Sequence, residues 1–417
     1  SESRISPPAA MIAICRSSPT APVDGIFLGT SPITTNNLAA AQDNLFFATG
    51  GATSGTYIPE PAANELLIST AITVGTNNTL TAVASSSPAS VTGTGNLTIN
   101  GGVTAGQGIL LAQTRNRPGD KITINNSITS NSNTITISAE KDVDTTLVGV
   151  LTTTGKAITV TGDRDATGAG RVDLRGNVTS NGGNITITGT GVAQLSGIIN
   201  SGNATVTIDG NSTASAGSRG IINLVGTIQT TSTSPSALVI RDAASVNLAG
   251  TITLSDSVSG TLKIGGTDAD AITNDVTQNS GIITVAANTI ITAGTSVDLN
   301  QAGNDFNTFT ATGTTSVRVK DVNSIALNLI TAVTTVTVIS GGSVTDNNGA
   351  TANIIAASLT ITAVTGIDTD STITTLTSAS VTGTGNINID DTAGGLVVTN
   401  VQTNNGAVTL KATGGDL

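Results

Sequence analysis

The 417-residue sequence contains no histidine and no tryptophan, one cysteine, one methionine and one tyrosine. Without histidine, Ser-His-Asp and Cys-His nucleophilic sites and histidine-ligated metals are excluded. Cys15 is alone, so no intramolecular disulfide forms. Aromatic residues make up only 1% of the chain, too few to fill the irregular core of a large globule. Charged residues are also few, at 10%, and the net charge is −11 with no Lys/Arg run. Nucleic-acid binding therefore lacks both its electrostatic and its stacking contribution. No apolar run approaches the length of a membrane-spanning helix. No basic, hydrophobic leader opens the sequence, and no Gly-rich phosphate loop ending in Lys-Ser/Thr occurs.

What remains is Thr, Ser, Asn and Gly interleaved with Val, Ile and Leu. The segment VDLRGNVTSNGGNITITGTG, residues 172–191, shows the grammar. Val172 and Leu174 flank Asp173 as in a short strand with one apolar face. Val178 opens a second strand, and Asn181-Gly182-Gly183 turns a corner. Ile185 and Ile187 form a third strand. None of these strands buries a face alone, so each needs copies above and below. The first half recurs as ITINNSI from Ile122, AQLSGII from Ala193, INLVGTI from Ile222 and VNLAGTI from Val246. The second half recurs as TITIS (134–138), ATVTI (204–208) and ALVIR (237–241). The octapeptide ASVTGTGN stands at both 89–96 and 379–386, each time followed by another apolar–polar–apolar strand. A unit of this length repeated with one strand–turn grammar predicts an all-β, elongated β-solenoid.

Three segments are expected. Residues 1–61 hold seven of the ten prolines, together with Phe27, Phe46, Phe47 and Tyr57. Proline at that density opposes regular ladders, so an irregular N-terminal cap or inter-subunit arm is expected, with those four aromatics as its assembly or capping residues. Residues 62–271 read as regular coils. Residues 272–417 read as a continuation in a second coil subtype.

The pattern apolar-x-apolar-x-Gly-x-apolar-x-Ser/Thr-x-Gly-x-apolar-x-apolar resembles the coil repeats of filamentous-haemagglutinin-type exoproteins and related giant bacterial adhesins. VDLRGNVTSNGGNITITG and VNLAGTITL carry it, and VDLNQAGNDF with VKDVNSIAL is similar to another repeat of such proteins. The likeness runs from about Leu66 to the end. It implies a right-handed parallel β-helix, secreted or held at the outer surface of a bacterial cell, used for adhesion or surface structure. The implied partners are a host or neighbouring cell surface, a glycan or a matrix, or further copies of the chain in a filament. The family's Asn-Pro-Asn-Leu secretion motif does not occur near the N-terminus, and TGGDL is not an aromatic-ended barrel strand. The sequence reads as a processed or excised piece of a larger protein.

Carboxylates are the remaining route to chemistry, since two acids suffice for glycan cleavage. Asp163 and Asp165 could share a strand face, and Asp368/Asp370 and Asp390/Asp391 are further pairs. TGDRDATG is a turn-rich string, however, where Asp bonds its own backbone. No enzymatic activity is expected, and no cofactor. GGTDADAI, residues 265–272, is a degraded echo of a calcium-binding repeat, which makes Asp268, Asp270 and Asp275 weak calcium candidates. Two alternatives to an adhesin or stalk stand beside it. One is a subunit that polymerises into an extracellular filament or sheath. The other is ice or crystal-surface binding through the Thr-x-Thr pairs 134/136, 159/161, 186/188, 205/207 and 251/253.

Overall fold

The computed structural model describes residues 64–417 apart from 70, 75–78, 85–95, 114–119, 166–169, 212–218 and 393. Before residue 64 it describes the strands Ile12–Arg16, Asp24–Leu28, Ile33–Thr34, Leu45–Thr49, Ala52–Thr53 and Thr56–Tyr57. The backbone divides into two compact units, 1–202 with 211–218, and 203–210 with 219–417. Both are parallel β-solenoids, and the one helical turn among the described residues is Asp268–Asp270.

In the first unit each coil carries three short strands. First strands are Leu97–Ile99, Lys121–Ile124, Asp142–Thr145, Val172–Leu174 and Val192–Leu195. They pair parallel and in sequence, one coil on the next. Second strands are Ile72–Val74, Val103–Ala105, Ile128–Ser130, Leu151–Thr153, Val178–Thr179 and Ile198–Asn200. Third strands include Ile135–Ala139, Ile158–Thr161 and Ile185–Thr188. Alternation drives the fold. Val172, Leu174, Val178, Ile185 and Ile187 are buried, stacked on equivalents such as Val143, Leu151, Ile158 and Val160. The intervening threonines face out. Small aliphatic side chains stack at the strand spacing without voids, which explains the scarcity of rings.

Two details of the repeat acquire causes. Its glycine lies between the first and second strands. A Cβ on Gly176 would stand 2.3 Å from the Gly149 carbonyl oxygen, and one on Gly197 would stand 2.2 Å from that of Gly176. The preceding coil passes too close for any side chain. The Ser/Thr of the repeat faces inward at the following corner. Ser130 Oγ donates to the carbonyls of Gln107 and Asn133, both at 2.7 Å. Thr153 Oγ1 donates to Ser180 O at 3.1 Å, and Ser180 Oγ donates to Gly183 O. Buried carbonyls at the corner are thereby satisfied. Asn181, at φ 53°, supplies the left-handed residue of that corner and holds Thr153 O with its side-chain amide.

Four of the six strands described before residue 64 join the same ladders, while Ala52–Thr53 and Thr56–Tyr57 pair antiparallel with each other. Asp24–Leu28 runs parallel to Asn64–Ile68, Ile33–Thr34 to Ile72–Val74, and Leu45–Thr49 to Leu80–Ala84. Three of the short segments between the prolines thus take coil register, which the proline content did not suggest. The contacts of the Phe27, Phe46, Phe47 and Tyr57 side chains lie outside the described residues.

In the second unit Ile222, Leu224, Val246 and Leu248 are buried in register, as the repeat predicts. From Ile283 the strands lengthen. Second and third strands run together as Ile283–Ala293, Asp305–Gly313 and Ile325–Ala332. Phe306 and Phe309 are both inward, with ring centroids 5.2 Å apart. Buried amides close on one another: Gln278 and Asn304 exchange hydrogen bonds of 2.8 and 2.7 Å. Asn353 donates to Leu327 O and accepts from Asp370 N.

Candidate functional site

The carboxylates singled out by sequence are dispersed. Asp163 and Asp165 lie beyond the end of the strand Ile158–Thr161 and not on its face. Asp163 is buried at φ 56° and accepts the Thr190 hydroxyl. Its backbone N–H donates to Lys141 O at 2.9 Å. It is a corner residue, held by Thr190 and Lys141 of other coils. Asp268 and Asp270 form the short helical turn. Asp270 pairs with Arg241 at 3.3 Å and Lys263 at 3.7 Å, the Asp268 carbonyl accepts from Arg219, and Asp275 accepts the Ser296 N–H. Each aspartate therefore faces a different partner. No group of three or more metal-binding side chains occurs among the described residues. Asp391 is buried and accepts from Ser371 Oγ and Ile373 N, while Asp390 pairs with Lys411. Burial, with Asp346, Asp390 and Asp368 nearby, pushes the Asp370 carboxyl above its usual range.

Of the five Thr-x-Thr pairs, two stack on each other. Thr159 and Thr161 register with Thr186 and Thr188 on one side, and with Thr136 and Ser138 on the other. Thr134 precedes its strand and is outside this column. Thr207 stacks on Val239, and Thr253 on Gln229 and Thr284. A longer hydroxyl column runs along the second strands, as Thr73, Thr104, Thr129, Thr152 and Thr179 on consecutive coils.

A groove on the first unit combines charge, exposed apolar surface and irregular chain. Its volume is about 540 Å³, and Lys121, Asp144, Leu147, Val148, Asp173 and Arg175 line it. The floor is the outward column Thr123, Asp144, Asp173 of three successive first strands. Two carboxylates in register on neighbouring coils repel each other. Lys121 Nζ at 2.9 Å from Asp144, and Arg175 Nη2 at 2.9 Å from Asp173, offset that repulsion. Arg171 stands 3.7 Å from Asp142. Thr145 takes an inward place where neighbours carry Ile124 and Leu174. Its hydroxyl accepts the backbone N–H groups of Arg175 and Gly176, at 2.9 and 3.1 Å, and so fixes the base of the Arg175 side chain. Asp144 Oδ1 is buried without a hydrogen-bond partner.

The wall is an insertion. Between first and second strands the coils have residues 125–127, then 146–150, then 175–177. The middle coil thus carries two extra residues. Leu147 and Val148 are 75% and 64% exposed. No family model, curated protein or solved structure matches the chain.

Sequence reading did not find this groove, because it did not find the coil that builds it. The repeat pattern passes from Ile122 directly to Val172. The coil between them, DVDTTLVGV, has Thr145 where the pattern wants an apolar residue, and its glycine is displaced by the insertion. A search allowing two extra residues at that corner recovers it. The paired charges at outward positions otherwise filled by threonine are the second signal.

Proposed function

We propose that the chain is a non-enzymatic bacterial solenoid, secreted or displayed at the cell surface, that acts as an adhesin or extracellular stalk. The observation that carries this reading is the coil stack itself. A dry aliphatic core fixes every outward side chain into columns repeated coil after coil, and such a surface suits contact spread over many points. Asp163 is engaged by the Thr190 hydroxyl of another coil, Asp270 by cations, and Asp391 by a hydroxyl and a backbone N–H. These are structural roles. The resemblance of VDLRGNVTSNGGNITITG to adhesin coil repeats supports the same conclusion. Beads coated with the full chain should bind epithelial or bacterial cells, and soluble protein should compete. Absence of binding to every cell type tried removes the adhesin, and filaments in negative-stain images of the same sample favour the polymerising subunit.

The stacked hydroxyls favour a second reading, binding to a crystal surface such as ice. Thr159, Thr161, Thr186 and Thr188 with Thr136 and Ser138 repeat at about 4.8 Å between coils and about 6.8 Å along each strand. Inhibition of ice recrystallisation that is lost in Thr159→Lys supports it. Unaltered ice growth in the presence of the wild-type chain removes it.

A further inference from the structure

We infer that the groove between the Leu147–Val148 wall and the charged first-strand face holds a neutral glycan, recognised through its vicinal hydroxyls. The inference rests on the adhesin reading and names the ligand class and the place.

Charge selects the class. Lys121, Arg171 and Arg175 face Asp142, Asp144 and Asp173, one carboxylate to each cation. The groove lining itself holds Lys121, Arg171 and Arg175 against Asp144 and Asp173, and Asp142, just outside it, pairs with Arg171 at 3.7 Å, so little unpaired positive charge is left to draw a sulfated or uronate chain, a phosphate backbone or an acidic peptide. It offers carboxylate acceptors beside cationic donors. Adjacent sugar hydroxyls need that pairing, because each hydroxyl both donates and accepts. Asp144 and Asp173 accept, while Lys121 and Arg175 donate.

Apolar surface completes the site. A pyranose ring has a C–H face that seeks apolar contact. This chain has few rings to offer, and here it exposes Leu147 and Val148 instead. Those two residues bury nothing in the coil stack, and the neighbouring coils do without them. Together with two like charges in register, they break the rules of the repeat at one place. Local rule-breaking on an otherwise regular scaffold marks function.

The side chains concerned are more than half exposed in Leu147, Val148 and Arg175, so their replacement leaves the core untouched. The test uses native gels of the full chain containing mannan, dextran or galactan as neutral probes, and heparin or alginate as acidic ones, at low and high salt. At least one neutral polysaccharide should retard the wild type, with little dependence on salt. Retardation should weaken by about tenfold or more in Arg175→Gln and in the double variant Leu147→Ser/Val148→Ser, with unchanged circular dichroism in both and unchanged melting in the double variant. No retardation by any neutral probe overturns the inference. So does retardation by acidic probes alone, or undiminished binding by folded groove variants. Cell binding by the groove variants separates the two claims. If they adhere as well as wild type while no neutral polysaccharide binds, the adhesin stands and the groove fails. If the wild type binds a neutral polysaccharide through the groove but no cell, the groove stands and the adhesin fails.

Discussion

At the scale of single residues, the solenoid core accepts a neutral hydroxyl without a partner, as at Thr289 and Thr369, but an unpaired charge is far more costly. Ile187 is fully buried and stacks on Val160 of the preceding coil. Ile187→Asp places an unpaired charge there and should destabilise the first unit by about 4 kcal/mol or more, read as a shift in urea unfolding. Asp321 is a native example of the same tension. It is almost fully buried, and accepts from Phe306 N at 2.6 Å and Asn323 N at 2.8 Å. Burial outweighs those bonds and raises its carboxyl from 3.8 to about 6. Below pH 4 the group is protonated in folded and unfolded chains alike. Between pH 4 and 6 the unfolded chain releases the proton and the folded chain keeps it. Stability is therefore lost as pH rises through that window, by up to about 3 kcal/mol. Unfolding of the second unit followed from pH 4 to pH 7 should show this slope, and Asp321→Asn should remove it. An identical slope in the variant would place the titration elsewhere.

At the scale of the element, the three-strand coil was legible from its period. Val172, Leu174, Val178, Ile185 and Ile187 face inward as alternation requires. The corner Asn181-Gly182 adopts positive φ, as its residue types anticipate. Registers were less legible. Val192 takes the first inward place of its coil, and a bulge follows at Ala193 before Gln194 and Leu195 resume the repeat. An aligned string cannot show a bulge, because the extra residue leaves the apolar spacing on either side intact. The coil from Asp142 was hidden for the opposite reason. Its insertion and Thr145 disturbed the spacing, yet neither disturbs the ladder, since the added residues project into solvent. Removing Leu147 and Val148 leaves Thr146-Gly149-Val150, the same length as Arg175-Gly176-Asn177, with glycine in the same place. That deletion variant should melt at or above the wild-type temperature. A fall of several degrees would show that the wall supports the coil.

At the scale of the whole molecule, fold and function differ in how far the sequence reaches. A repeated alternation specifies the same strand many times over, so single irregularities do not erase it. A binding site needs one irregularity at one place, and it appears in the sequence as noise on the repeat. The dispersed aspartates illustrate the converse. Asp163 and Asp165 look like a catalytic pair on a string, but a pair needs a shared strand face and these residues occupy a corner. Purified protein should leave pectin and alginate intact with or without calcium. Turnover abolished by Asp163→Asn/Asp165→Asn would contradict the non-enzymatic reading.

All of these claims depend on coil-by-coil parallel register, including the coil that the repeat pattern conceals. Thr129 pairs with Thr152, and Thr152 with Thr179, all on outward positions. Neighbouring coils bring such Cα atoms to about 4.8 Å, within disulfide reach, whereas alternate coils hold them about 9.6 Å apart, beyond it. The measurement is disulfide formation in a Cys15→Ser background. Thr129→Cys/Thr152→Cys should oxidise readily to an intramolecular bond, and Thr129→Cys/Thr179→Cys should not. Ready oxidation of the 129/179 pair with a free 129/152 pair would mean that the coil from Asp142 is not in the stack, and the register, the groove and its wall would fall together.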